Sequence, residues 1–139
     1  MNKKPTNDYP PVNQMDQAQK VEIVMDIFSS ITNKYDFLNR FLSLRQDLLW
    51  RKKTVEKMRF FKSFKFLDIA TGTGDLAIDA VNMHPEIKAT GLDFVQNMID
   101  YGNVKIKDQN LKDRVDLKWG DATDINYEDN SFDVTAMAF

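Results

Sequence analysis

The sequence predicts an α/β fold in which helices alternate with the strands of a parallel sheet, and three observations predict it. Short apolar runs at residues 65–69, 87–92, 115–119 and 132–139 are separated by stretches with helical periodicity, the order that strand–helix–strand units require. The first run leads into Ala70-Thr71-Gly72-Thr73-Gly74-Asp75, after which Leu76, Ala77, Ala80 and Val81 recur at helical spacing. The two glycines therefore lie in a strand-to-helix turn. Asp93 closes the second run, 21 residues after Gly72. Parallel strands joined by right-handed crossovers bring such carboxyl ends together, and open α/β sheets bind their ligands there.

At 139 residues the chain suits one domain with a real core. Its 42% hydrophobic and 29% charged residues are ordinary for a soluble globular protein, and no apolar run approaches the roughly 20 residues of a membrane-spanning helix. The polar start, Met1-Asn2-Lys3-Lys4-Pro5-Thr6, does not read as a secretory signal, so a cytoplasmic location is expected. With no Cys and one His, disulfides, thiolate ligands, a Cys nucleophile and a His-rich metal site are excluded, and no metal is expected. The net charge of −2 is unevenly spread: residues 45–66 carry eight basic against two acidic side chains, and residues 67–139 six against fourteen. An acidic domain repels phosphate, so nucleic acid is not an expected partner.

Residues 1–18, rich in Pro, Asn, Gln and Asp, read as a mobile N-terminal arm. Residues 19–64 read as a helical segment and residues 65–139 as the α/β core, which stops on its fourth strand and so reads as truncated there. From Gln19 onward, Val21, Val24, Ile27, Phe28 and Ile31 mark an amphipathic helix ending before Thr32-Asn33. Phe37, Leu38, Phe41 and Leu42 form the apolar face of a second helical stretch, with Tyr35, Asp36, Asn39 and Arg40 as its polar residues. Ser43 or Asp47 is placed to cap a third helix, whose Arg51, Lys52, Lys53, Lys57 and Arg59 read as a solvated basic face.

Beyond the glycine turn, Asp75 serves as N-cap or first-turn acid of a helix that His84-Pro85 stops near Met83. A helix from Val95 to about Lys107 buries Met98 and Ile99, with Gly102 as a weak point. Val115, Leu117 and Trp119 share one face of the third strand. Trp50 and Trp119 read as packing residues. His84 precedes the second strand, at the sheet edge opposite the ligand end, and reads as structural.

Glycine removes the Cβ that would keep a ligand off the backbone, and a helix start offers free N–H groups. Asp93 is spaced to accept hydrogen bonds from ribose hydroxyls. A nucleoside ligand follows, and a nicotinamide dinucleotide would satisfy the same spacing because Ala77 completes its small-residue formula. Asp68 separates the two. A carboxylate just ahead of the glycines repels a pyrophosphate and suits a ligand with an ammonium and a sulfonium, the charge pattern of S-adenosylmethionine.

Asp68-Ile69-Ala70-Thr71-Gly72-Thr73-Gly74-Asp75, with Tyr35-Asp36-Phe37-Leu38-Asn39-Arg40, Trp50-Arg51-Lys52, Gly120-Asp121-Ala122 and Asp129-Asn130-Ser131-Phe132-Asp133, resembles the menaquinone and ubiquinone biosynthesis C-methyltransferases. The likeness runs from Lys20 to Phe139. It implies a Rossmann-like methyltransferase fold with N-terminal helices, dependence on S-adenosylmethionine, and methylation of demethylmenaquinol to menaquinol in preference to the ubiquinone-pathway reaction. The substrate would be an isoprenoid quinol, with peripheral contact at the inner face of the membrane and a homo-oligomeric state as accompanying expectations. Family members continue past the equivalent of Phe139 into a Gly-Leu-Arg-Asn segment and further elements.

By the same resemblance, Thr73 contacts the methionine part of the donor, Asp93 the ribose, and Asp121 and Ala122 the adenine, with Asp68, Gly72 and Gly74 completing the cofactor set. Ala70 stands where the broader class often has Gly. Tyr35 and Asp36 are the catalytic candidates, as the base that takes the quinol proton, because N-terminal helices in this fold type lid the ligand end of the sheet. Two other readings stand beside this one. A nicotinamide-dependent oxidoreductase is disfavoured by Asp68 and Gly120-Asp121-Ala122. A truncated, inactive module would bind a nucleoside or a protein partner through its exposed strand edge.

Overall fold

Runs of four to six residues rich in apolar side chains pair as parallel strands, and a helix after each of the first two crosses back over the sheet. The computed structural model describes residues 14–43 and 45–138. In chain order the elements are α1 Gln17–Leu42, α2 Gln46–Lys57, β1 Lys65–Ile69, α3 Asp75–Met83, β2 Lys88–Asp93, α4 Gln96–Asp108, β3 Val115–Trp119 and β4 Val134–Met137. The sheet runs β3-β2-β1-β4, parallel throughout. Ile69 is opposite Leu92 and Met137, and Asp93 is opposite Trp119. The register thus sets the glycine turn, Asp93 and Gly120 along one edge.

The strands, α3 and α4 lie within two residues of their expected positions, and Phe139 lies outside the described residues. The N-terminal half departs more. Residues 1–13 of the expected arm lie outside the described residues, and residues 14–18 already contain the start of α1. Asp16 accepts from Gln19 N at 2.8 Å while the Gln19 side chain accepts from Asp16 N at 3.1 Å, a reciprocal capping box.

The expected break at Thr32-Asn33 does not occur, and α1 is one helix of 26 residues. The Thr32 hydroxyl donates to Phe28 O at 2.8 Å, which satisfies it inside the helix instead of diverting the backbone. Tyr35 and Asp36 therefore move with Phe28 as one rigid element. Neither Ser43 nor Asp47 is the N-cap of α2. That position is Arg45, in the left-handed region at φ 66°, while Asp47 N donates to Ser43 Oγ at 3.4 Å and Ser43 donates to Asp47 Oδ1 at 2.8 Å.

The core lies between the sheet and its helices, where Phe66, Ile87, Ile106, Val81 and Val55 are almost wholly buried, each stabilising the fold by about 1.5–3 kcal/mol. Leu117 fills a space kept open by glycine. A Cβ at Gly91 or Gly102 would stand 2.5 Å from a Leu117 methyl, and one at Gly102 also 2.8 Å from the Thr73 carbonyl oxygen. Gly102 is thus a site of close approach and not a weak point, because α4 could not press on the glycine turn with any side chain there. His84 has the expected structural place, with Nε2 3.1 Å from Val55 O and its ring edge-on to Phe60.

Asp133 ties the two ends of the core together. Its carboxylate accepts N–H bonds of 2.9–3.1 Å from Phe61, Lys62, Ser63 and Phe64, and Asp133 N donates to Lys65 O at 3.0 Å. Desolvation raises this carboxyl, but the N–H groups of Ser63, Lys62, Phe64 and Phe61 outweigh it and hold the group well below the usual carboxylate range. The loop before β1 is thereby wrapped around the start of β4.

Candidate functional site

The glycine turn is strained where sequence alone showed only flexibility. Ala70 has φ 55°, Gly72 58° and Gly74 79°, so three of five residues occupy the left-handed region that costs an L-residue about 1–2 kcal/mol. Glycine supplies two of them freely. The turn is locked from both sides: Thr71 N donates to Leu92 O at 2.9 Å, Gly74 N to Thr71 O at 3.0 Å, and Gly72 N to Asp93 Oδ2 at 2.8 Å.

Two carboxylates flank this turn. Asp68 at the end of β1 is 2% exposed and accepts from the Thr71 hydroxyl at 2.5 Å. Burial pushes its carboxyl up to about 7, reinforced by the charge of Asp93 and opposed by the Thr71 hydrogen bond and the Ala77 backbone. Asp93, also buried, accepts Gly72 N on one oxygen and Val95 N at 2.9 Å on the other. Each oxygen keeps a second acceptor direction for a ligand.

Above the turn lies α1. A Cβ at Gly72 would sit 3.8 Å from Tyr35 Cε1, so the Tyr35 ring covers the glycine. Two cavities meet here. One, of about 60 Å³, is lined by Tyr35, Asp36, Arg51, Asp68, Thr73 and Asp75 among others. The second, of about 110 Å³, is lined largely by apolar groups, Phe28, Phe94, Val95 and Met98, with Asp93 beside them. Tyr35, Ala70 and Gly72 line both and form the partition between an acidic and an apolar compartment.

The acidic compartment is wired by ion pairs. Asp36 accepts from Thr73 Oγ1 at 2.6 Å and from Lys105 Nζ at 2.7 Å, and Lys105 also pairs with Asp75. Arg51 contacts Asp47 at 3.1 Å, Asp75 at 3.3 Å and Asp79 at 2.9 Å. Desolvation lowers the Arg51 guanidinium, but its hydrogen bond to Asp79 and the charges of Asp75, Asp79 and Asp47 raise it overall. Arg51 does not belong to a solvated basic face, because those acids draw it inward.

Of the sequence-predicted site residues, Tyr35, Asp36, Asp68, Gly72, Thr73, Gly74 and Asp93 are brought together, although Gly74 acts by admitting Leu117 and capping α3. Asp121 and Ala122 are exposed and line neither cavity. Asp121 accepts from Thr123 N at 2.8 Å and Thr123 Oγ1 at 2.7 Å, and these bonds hold its carboxyl below the usual range. Trp119 is not a core residue. Its ring is 59% exposed, and Nε1 donates to Phe94 O at 2.8 Å, which fixes the chain just after Asp93. Lys105 escaped the sequence reading. Its signal was positional: Met98, Gly102 and Lys105 fall at i, i+4 and i+7 on the inward stripe of α4.

A family model described as the ubiE/COQ5 methyltransferase family matches residues 14–139. The chain belongs to that family. It is 38% identical over 123 residues to the ubiquinone/menaquinone biosynthesis C-methyltransferase UbiE of Citrifermentans bemidjiense, across 88% of this chain and 52% of the relative. It is also 38% identical over 130 residues to the demethylmenaquinone methyltransferase of Deinococcus radiodurans, across 94% of this chain and 52% of that one. The chain thus spans about half the length of the curated relatives it matches. Among solved structures, one described as a SAM-dependent methyltransferase from Aquifex aeolicus superposes with a TM-score of 0.63 at 24% identity, over 80% of this chain and 56% of the other. That likeness concerns the fold, and it agrees with a Rossmann-like methyltransferase core. No helix among the described residues is long and apolar enough to cross a membrane.

Proposed function

We propose that this chain supplies the donor-binding part of an S-adenosylmethionine-dependent C-methyltransferase that converts demethylmenaquinol to menaquinol. The observation that carries the reading is the pair of buried carboxylates, Asp68 and Asp93, on either side of a glycine turn. The donor set fits the cofactor. The ammonium and sulfonium suit the compartment of Asp36, Asp68 and Asp75, a ribose suits the open acceptor directions of Asp93, and an adenine suits the wall of Phe94, Val95 and Met98. Such acids would repel the pyrophosphate of a dinucleotide. Adenine contacts from Asp121 and Ala122 require the exposed loop after β3 to close over the apolar compartment.

When bound, the cofactor supplies a methyl group already activated on a sulfonium, leaving alignment and water exclusion to the protein. Tyr35 covers Gly72, and Asp36 latches α1 to Thr73 and Lys105. Each Asp36 oxygen accepts one bond there and keeps a second acceptor direction. Tyr35 and Asp36 thereby close α1 over the donor, and the two stand as the candidates for the base that takes the quinol proton.

Weak membrane docking belongs to the same proposal. Val21, Val24 and Ile27 are exposed on α1, as are Lys52, Lys53 and Lys57 on α2; an apolar stripe favours a lipid interface, and basic side chains favour anionic lipid. Transfer of a labelled methyl from S-adenosylmethionine to a ring carbon of a demethylated naphthoquinol is the expected result. Absence of transfer by a chain shown to bind the donor would reduce the reading to a binding module.

A further inference from the structure

One of the cations held by the acids of the site, Lys105, lies outside the glycine motif. Lys105 Nζ donates to Asp36 at 2.7 Å, to Thr73 Oγ1 at 2.9 Å and to Asp75, three acceptors for the three N–H groups of an ammonium. Thr73 and Asp75 stand in the glycine turn and at the start of α3, whereas Asp36 stands on α1 across the acidic compartment. The Lys105–Asp36 pair therefore fastens α1 to α4 and the turn beside the compartment, which Asp36 lines and Lys105 does not, with the Thr73 hydroxyl shared between its members. Arg51, a second cation there, contacts Asp47, Asp75 and Asp79 and ties α2 to α3.

The two cavities measure about 60 and 110 Å³, against roughly 300–1,000 Å³ for a small-molecule site. Entry of a nucleoside with an amino-acid tail thus requires α1 to move away from the turn, which separates Asp36 from Lys105. An α-amino acid end carries an ammonium and a carboxylate on one carbon. Placed between the parted walls it gives each charge an opposite partner, so opening leaves no ion unpaired. From this we infer that Lys105 binds the carboxylate of the donor's amino-acid end and Asp36 its ammonium. The pair that holds α1 shut is then the pair that reads the donor. The inference rests on the donor reading proposed above.

The test compares S-adenosylhomocysteine with 5′-methylthioadenosine, a related nucleoside without the amino-acid end, by titration calorimetry on the full chain. Lys105→Met is expected to weaken the first at least about tenfold and the second by less than about twofold, and Lys105→Arg to restore most of the loss. Equal weakening of both ligands, or of neither, overturns the assignment. Should Lys105→Met fail to fold, the wild type decides: decarboxylated S-adenosylmethionine is expected to bind at least about tenfold more weakly than S-adenosylmethionine, despite its greater positive charge in an acidic site. Equal or tighter binding overturns the assignment. A wild type that binds 5′-methylthioadenosine without preferring an amino-acid end removes the Lys105 role and leaves the nucleoside pocket standing. A wild type that binds none of these ligands removes the donor reading and the assignment together.

Discussion

Ala70 and Asp68 carry opposite kinds of cost at the same turn. Ala70 is held at φ 55°, a conformation that costs an alanine about 1–2 kcal/mol, while glycine's greater freedom in the unfolded chain offsets about 0.4–1 kcal/mol of any gain. Ala70→Gly is expected to raise stability by about 0.5–1 kcal/mol in urea unfolding. Asp68 costs charge instead. Its folded value of about 7 lies above the usual 3.8, so the folded state binds the proton more tightly than the unfolded state. Stability attributable to this group is highest below the unfolded value and declines as pH rises from about 4 to about 7. Asp68→Asn is expected to remove that decline and to be the more stable protein at pH 8, as thermal melts across this window will show. A bound cation favours the ionised carboxylate, so donor affinity should rise between pH 6 and pH 8 in the wild type and stay flat in Asp68→Asn.

At the level of elements, α4 and the loop before β1 place the site. Gly102→Ala gains helix propensity of about 1 kcal/mol but puts a methyl 2.8 Å from the Thr73 carbonyl and 2.5 Å from Leu117. Overpacking of that kind costs about 1–3 kcal/mol, and because the carbonyl belongs to the turn, donor affinity is expected to fall along with stability. Asp133→Asn removes an anionic acceptor from four successive N–H groups. Since the Asp133 carboxyl is held low, its contribution is present above the unfolded value and lost as pH falls through the folded one. The melting-temperature difference between wild type and Asp133→Asn is expected to be large at pH 7 and to shrink below pH 4.

The strands, α3 and α4 were legible in the sequence because apolar periodicity and turn residues are local signals. Asp68, Gly72 and Asp93 were legible for the same reason, since a turn and one crossover fix their spacing. The Asp36–Lys105 pair and the Asp133–Phe64 bond each span 69 residues, and no local pattern announces a partner so far away. The continuity of α1 depended on one hydroxyl, that of Thr32, choosing the helix carbonyl of Phe28. Arg51 looked like one more base in a basic helix until Asp75 and Asp79 were folded beside it.

At the scale of the molecule, charged side chains join elements distant in sequence. Asp133 joins the loop before β1 to β4, Arg51 joins α2 to α3, and Lys105 joins α1, the glycine turn and α4. The first two hold the frame, while the third fastens α1, the element that moves when the compartment opens. The turn between Asp68 and Asp93 is expected to receive a cationic adenosyl donor. Calorimetry of the chain with S-adenosylmethionine and with NAD, repeated on Asp93→Ala, tests it most directly. Saturable binding of S-adenosylmethionine that is lost in Asp93→Ala, with no heat from NAD, is the predicted result. NAD binding as tight as that of S-adenosylmethionine, or S-adenosylmethionine binding untouched by Asp93→Ala, would contradict it.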